Sequence, residues 1–179
     1  MSNVMIDNMN ALAETASSSS SSSSFQTLVT QGQELTELWN NTPVPDRPLS
    51  EEALDVLYTL GMRALHAKQY TEAQVAFATL LQHLPAHADY LSGMAHALGG
   101  HGDAAGAVLL HALALQSAAL EDKASHALSL AQAFIDVRQP DAAEAILNAL
   151  PSNTTALPLF KQLQARTEAV RALIHRASH

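Results

Sequence analysis

The stretch from Leu57 to Pro85, LYTLGMRALHAKQYTEAQVAFATLLQHLP, sets the architecture of this chain. It places Leu57, Leu60, Gly61, Ala64, Ala73, Phe77 and Pro85 at spacings that suit two antiparallel helices in close contact. Gly61 and Ala73 are small where the helices should meet, Leu57, Leu60 and Phe77 are expected to fill the space around that contact, and Pro85 should stop the second helix. The arrangement returns 34 residues on, where Leu91, Met94, Ala95, Ala107 and Ala114 take the places of Leu57, Leu60, Gly61, Ala73 and Leu80. Phe77 and Pro85 map onto His111 and Ala119, so the second copy is degenerate. A third copy follows after two extra residues near Glu121 and Asp122, with Ala131, Phe134, Ala143 and Leu147 standing for Gly61, Ala64, Ala73 and Phe77. A single pair of this kind cannot bury its apolar face, so about three must stack for a stable core.

This spacing resembles the tetratricopeptide (TPR) pattern, with Leu57 and Ala64 in place of its aromatic members. The expectation is an all-α TPR solenoid of three helix-turn-helix repeats, about 54–87, 88–121 and 124–151, between flanking helices. Composition agrees. Hydrophobic residues make up 47% but aromatics only 4%, which suits alanine-rich helices packed closely. Val, Ile and Thr form no alternating runs that would signal strands.

Residues 1–24 end in eight serines, Ser17 to Ser24, and read as a disordered tail that cannot offset its ordering entropy. Phe25, Leu28, Val29, Leu35, Leu38 and Trp39 share one face of a predicted helix over 25–42, and the proline-rich stretch from Pro43 to Pro48 reads as an extended linker. Ser50 is expected to cap a helix running to about His66, with Glu51 and Glu52 in its first turn. Lys68, Gln69 and Tyr70 should make the next turn, with Thr71 and Gln74 as a capping box. Gly99 and Gly100 are expected to end the first helix of the second repeat, and Gly102 and Asp103 to form its turn. Pro140 and Asp141, with Glu144, should open the last helix of the third repeat, which Pro151 closes. A final helix over 155–177, capped by Thr155 and carrying the stripe Leu157, Phe160, Leu163, Val170 and Leu173, should cover the open end.

Several function classes are disfavoured. The formal net charge of −8 argues against nucleic acid and anionic membrane surfaces. Cysteine is absent, which removes thiolate chemistry and disulfides. The start MSNVMIDNMNALAETA has neither the basic nor the apolar region of a signal peptide, and no stretch approaches the ~18 apolar residues of a membrane span. A cytoplasmic protein is expected. Nine histidines invite a metal reading, but Pro85 breaks the helix that would align His83 with His87, His96 and His101 straddle Gly99 and Gly100, and no HExxH occurs. The run Gly99-Gly100-His101-Gly102 has no preceding strand and no phosphate-loop lysine. No catalytic, cofactor or metal residue is assigned, and an enzyme is not expected.

In a stack of helix pairs the first helices line the inner side. Repeat positions two, five, nine, twelve and thirteen then give Asp55, Tyr58, Met62, Leu65 and His66 from the first repeat. The second gives Asp89, Ser92, His96, Gly99 and Gly100, and the third gives Ser125, Leu128, Gln132, Ile135 and Asp136. Tyr58, Met62, Leu65, Leu128 and Ile135 form an apolar wall with polar groups between, suited to an extended peptide with spaced anchors. The glycines would admit its backbone closely. The competing reading of Tyr58 and Met62 is ordinary packing.

An acidic helix start leads into Leu57-Tyr58, then Gly61, Lys68-Gln69-Tyr70, Glu72-Ala73 and Phe77. In this order, with degenerate repeats and an N-terminal helix, the chain resembles the class II chaperones of type III secretion systems, roughly from Leu35 to Leu150. The resemblance implies a bacterial, cytoplasmic chaperone that holds a hydrophobic translocator before export, with peptide contact at Tyr58, Met62, Leu65 and Tyr70. The glycine- and histidine-bearing second repeat and the serine tract depart from the family's pattern, so a needle, filament or tip component, or a general TPR scaffold role, stays open. Leu35, Leu38 and Trp39 would either pack onto the first repeat or, as the resemblance implies, make a homodimer contact.

Overall fold

Ser50 opens the first helix as the sequence predicts. In the computed structural model, which describes residues 48–150 and 158–177, its Oγ accepts from the Ala53 N–H at 3.3 Å, and Glu51 and Glu52 lie at the positive end of the helix dipole. The result is α1 (Glu51–His66). It is followed by α2 (Tyr70–His83), α3 (Ala88–His101), α4 (Ala104–Ser117), α5 (Lys123–Asp136), α6 (Pro140–Asn148) and α7 (Pro158–Ala177). The described residues contain no strand. The expected serine tail 1–24, the 25–42 helix with Leu35, Leu38 and Trp39, and Pro151, Thr155 and Leu157 lie outside the described residues.

The repeat register is written in the backbone. The turn inside each pair closes on one left-handed residue: Lys68 (φ 58°), Gly102 (φ 101°) and Arg138 (φ 58°). These stand 34 and 36 residues apart, which matches the two extra residues read near Glu121 and Asp122. The bonds repeat too. Lys68, Gly102 and Arg138 donate to Leu65, Gly99 and Ile135, while Gln69, Asp103 and Gln139 donate to Ala64, Leu98 and Phe134. Three helix ends are thereby satisfied by one scheme. Two of the three left-handed residues carry side chains, a conformation that favours glycine by roughly 1 kcal/mol.

Local predictions made from capping fared unevenly. Gly99 and Gly100 do not end α3, which runs on to His101 with Gly102 as its left-handed stop. Tyr70 is the first residue of α2, and its N-cap, Gln69, makes no side-chain bond. Instead of forming a box with Thr71, Gln74 reaches the Ala97 carbonyl at 3.5 Å. Asp103 does cap α4, accepting from the Gly106 N–H at 2.9 Å. Asp141 and Glu144 leave the α6 terminus alone and both accept from Arg171 of α7.

Successive helices pack against each other, and α1, α3, α5 and α7 also touch in turn, so the first helices form one layer. Small residues sit at the crossings. Ala73, Ala95, Ala131 and Ala143 are fully buried, as is Ala107 very nearly. Phe77 fills the first crossing, whereas Leu60, expected beside it, faces away and is 51% exposed; an added Cβ at Gly93 would lie 2.3 Å from the Phe77 ring and one at Gly61 would lie 3.0 Å away. At the far end α7 buries Phe160 and Leu163, and Thr167 is buried with its hydroxyl donating to the Leu163 carbonyl. The predicted stripe stops at half-buried Val170, for Leu173 is 64% exposed beyond the edge of α5 and α6. No described helix is long and apolar enough to cross a membrane.

Candidate peptide-binding face

One face of α1 carries Tyr58, Met62 and Leu65 at helical spacing. All three are half-buried, resting on the cluster that contains Phe77 and Leu91. The Tyr58 ring meets Phe77 edge-on, centroids 6.1 Å apart, and lies tilted against Tyr90 at 5.7 Å. Tyr90 in turn stacks on His87 at 4.0 Å. Burial, and then Asp89 and Tyr90, push the Tyr58 hydroxyl pKa up. Burial, and then Asp55 and Asp89, do the same to Tyr90. Asp89 also lies 3.6 Å from His126 Nε2 of α5. The aromatic wall thus has an acidic rim. Sequence reasoning missed Tyr90, which falls at repeat position three, outside the inner-face positions. Its equivalent in the first repeat is Val56, which gives no hint of an aromatic role.

His66 is exposed at the end of α1. Tyr70 is half-buried, and its ring occupies the space beside Gly100, where an added Cβ would lie 2.2 Å away. Gly100 therefore makes room for the protein's own tyrosine. It was expected to admit a ligand backbone.

On α3, Ser92 is half-buried and His96 is exposed. The His96 ring meets His111 of α4 edge-on at 4.7 Å. His96 keeps solvent on one side, while the protein around the rest of its ring lowers its pKa. His111, in the place that Phe77 takes one repeat earlier, is buried, and its Nδ1 has no hydrogen-bond partner. Burial first, then His96 and His126, drive its pKa down to about 3.

The third repeat differs from the expectation of an open apolar wall. Leu128 and Ile135 are buried in one cluster with Phe160 and Leu163 of α7, leaving 4% and 3% of their surface accessible. Gln132 is half-buried. Its amide donates to both Asp136 oxygens at 2.8 and 2.9 Å, and Arg166 of α7 donates to Gln132 Oε1 and, at 3.0 Å, to Asp136. The final helix takes the place of a further first helix and covers α5. The open part of the face is Tyr58, Met62 and Leu65, flanked by His66, Ser92 and His96. Among the described residues, no three His, Asp or Glu side chains are grouped to hold a metal ion. What remains is an apolar stripe with polar neighbours, which can bind by burial and hydrogen bonding.

No protein-family model matches the sequence, and no curated protein matches it. Among solved structures, PcrH in complex with the chaperone-binding region of PopD aligns with a TM-score of 0.57 at 23% identity, over 74% of this chain and 98% of PcrH. A second structure, of PcrH from Pseudomonas aeruginosa, aligns with a TM-score of 0.57 at 22% identity, over 74% and 99%. The chain has the TPR-like, all-helical fold of PcrH.

Proposed function

We propose that this protein is a type III secretion chaperone of the class II kind. It binds an extended apolar segment of a secreted, translocator-like partner and stabilises that partner in the bacterial cytoplasm before export, without catalysis. The observation that carries the reading is the stripe of Tyr58, Met62 and Leu65, half-open to solvent on the first-helix layer beside Ser92 and His96. The shared fold with PcrH, whose structure includes the chaperone-binding region of PopD, supports it. Each fully buried apolar anchor contributes about 1.5–3 kcal/mol before ordering costs, so two or three give useful and reversible affinity. Because α7 covers Leu128 and Ile135 and its Arg166 holds Gln132, the proposed binding face is confined to Tyr58, Met62, Leu65, His66, Tyr70, Ser92 and His96, and the held segment is short.

A photo-reactive cross-linker tests this in the native cell. Placed at Met62, it is expected to attach to a secreted protein. Placed at Val75, 65% exposed on α2, it is expected to attach to none. Equal labelling from both positions rejects the face, and a partner that stays attached and is never exported favours a scaffold.

A further inference from the structure

Beside the stripe just described, α1 has a second apolar surface that no described element covers. Leu49 is 39% exposed, Val56 60% and Leu60 51%, and with Glu52, Ala53 and Leu57 they line a cavity of about 430 Å³. Their repeat equivalents are not exposed. Val56 corresponds to Tyr90 and His126, which are 7% and 5% accessible, and Leu60 corresponds to half-buried Met94 and to Leu130, 3% accessible. Those positions are buried because each first helix receives the preceding repeat there: α1 and α2 pack on α3, and α3 and α4 pack on α5. On α1 the same surface is formed, with apolar Val56 and Leu60, and lacks its cover among the described residues.

We infer that this surface is the docking site for the chain's own segment 25–40, which packs on α1 as each preceding helix packs on the next. Three observations favour this occupant. The segment carries Phe25, Leu28, Val29, Leu35, Leu38 and Trp39 on one predicted helical face, an apolar stripe long enough to span the surface from Leu49 to Leu60. It stands where the preceding helix stands for α3, α5 and α7, immediately upstream in the chain. The connection, residues 41–50, is about as long as the one over 149–157 that joins α6 to α7. Extended, it reaches up to ~33 Å, more than the ~24 Å length of α1. An antiparallel course places Leu35 opposite Val56 and brings Leu38 towards Ala53 and Leu49. The inference stands independently of the proposed cargo.

Trp39 is the sole tryptophan and the chain has no cysteine, so two clean readouts exist. In the full chain, Val56→Glu with Leu60→Glu is expected to shift Trp39 emission to the red, as the indole enters water, while circular dichroism retains the helices described here. A milder Val56→Ser variant should give part of the shift. Unchanged emission in a folded variant overturns the proposal. The pair Leu35→Cys and Val56→Cys is expected to oxidise rapidly to a disulfide within one chain, at a rate independent of protein concentration, and Leu35→Cys with Val75→Cys is not. Disulfide-linked dimers forming faster at higher concentration overturn it in favour of a second copy, and absence of any cross-link overturns it outright.

Discussion

Replacing Gly93 by alanine adds one methyl group, and the structure says where it goes. The new Cβ would lie 2.3 Å from two carbons of the Phe77 ring, against the ~3.5–4.0 Å of a relaxed carbon contact. The ring has no easy retreat, being fully buried, met edge-on by Tyr58 and backed by Gly61. Two effects compete. Alanine favours a helix interior over glycine by about 1 kcal/mol, and forcing a methyl into a filled core costs about 1–3 kcal/mol. A contact this short belongs at or beyond the upper end of that cost, so the net loss should be about 2 kcal/mol, or roughly 4–8 °C in Tm for a domain of this size. Gly61→Ala makes the useful contrast. Its Cβ would sit 3.0–3.3 Å from Phe77 and Ala76, a crowding that the helix gain about cancels. Urea unfolding followed by far-UV circular dichroism measures both, and Phe77→Leu should cost about 1 kcal/mol less in the Gly93→Ala background than in wild type, the coupling expected of two residues in contact. A Gly93→Ala protein as stable as wild type would refute the placement of the Phe77 ring.

Further outcomes follow from other sites. His111 is neutral when folded, with a pKa near 3 against 6.5 unfolded, so the unfolded chain binds the extra proton between those values. Its contribution to stability is complete above about pH 6.5 and falls as pH drops towards 3, by up to about 1.4 kcal/mol per pH unit, measurable as a declining urea midpoint. His111→Leu, which puts in the residue type found at Leu147, should flatten that slope. It should also raise stability by about 1–3 kcal/mol by removing an unpartnered buried nitrogen. A slope that survives the substitution assigns it elsewhere. Leu163→Ala, at a fully buried contact of α7, should cost about 2–5 kcal/mol and expose Leu128 and Ile135 to faster hydrogen exchange nearby. Arg171→Ala removes pairs to Asp141 and Glu144 that are largely exposed, so its cost should stay within about 1 kcal/mol and vanish in high salt.

The helix pairs were readable because their spacing follows from sterics that allow few substitutes. Gly61, Ala73, Ala107 and Ala143 mark crossings that favour small residues, and all are buried. The turns were readable in register but not in chemistry. Lys68 and Arg138 adopt the left-handed conformation that Gly102 adopts, and nothing in their type announces it. Capping boxes were misassigned at Thr71 and Asp141 because Gln74 and Glu144 bond to α3 and α7 instead, a choice that only tertiary packing makes. Gly93 and Tyr90 were missed for the same reason. Each matters through a neighbour from an adjacent helix, Phe77 for one and Tyr58 for the other. Leu128 and Ile135 occupy inner positions, yet α7 covers them, and the sequence shows the cap without showing how far across α5 it lies.

Affinity capture from the native cell, with wild type beside a folded Met62→Glu, Leu65→Glu variant, tests the binding face most directly. The account predicts that wild type retains one hydrophobic secreted protein and that the variant loses it while keeping a cooperative melt. The same partner held equally by both proteins, or none held by wild type, contradicts it.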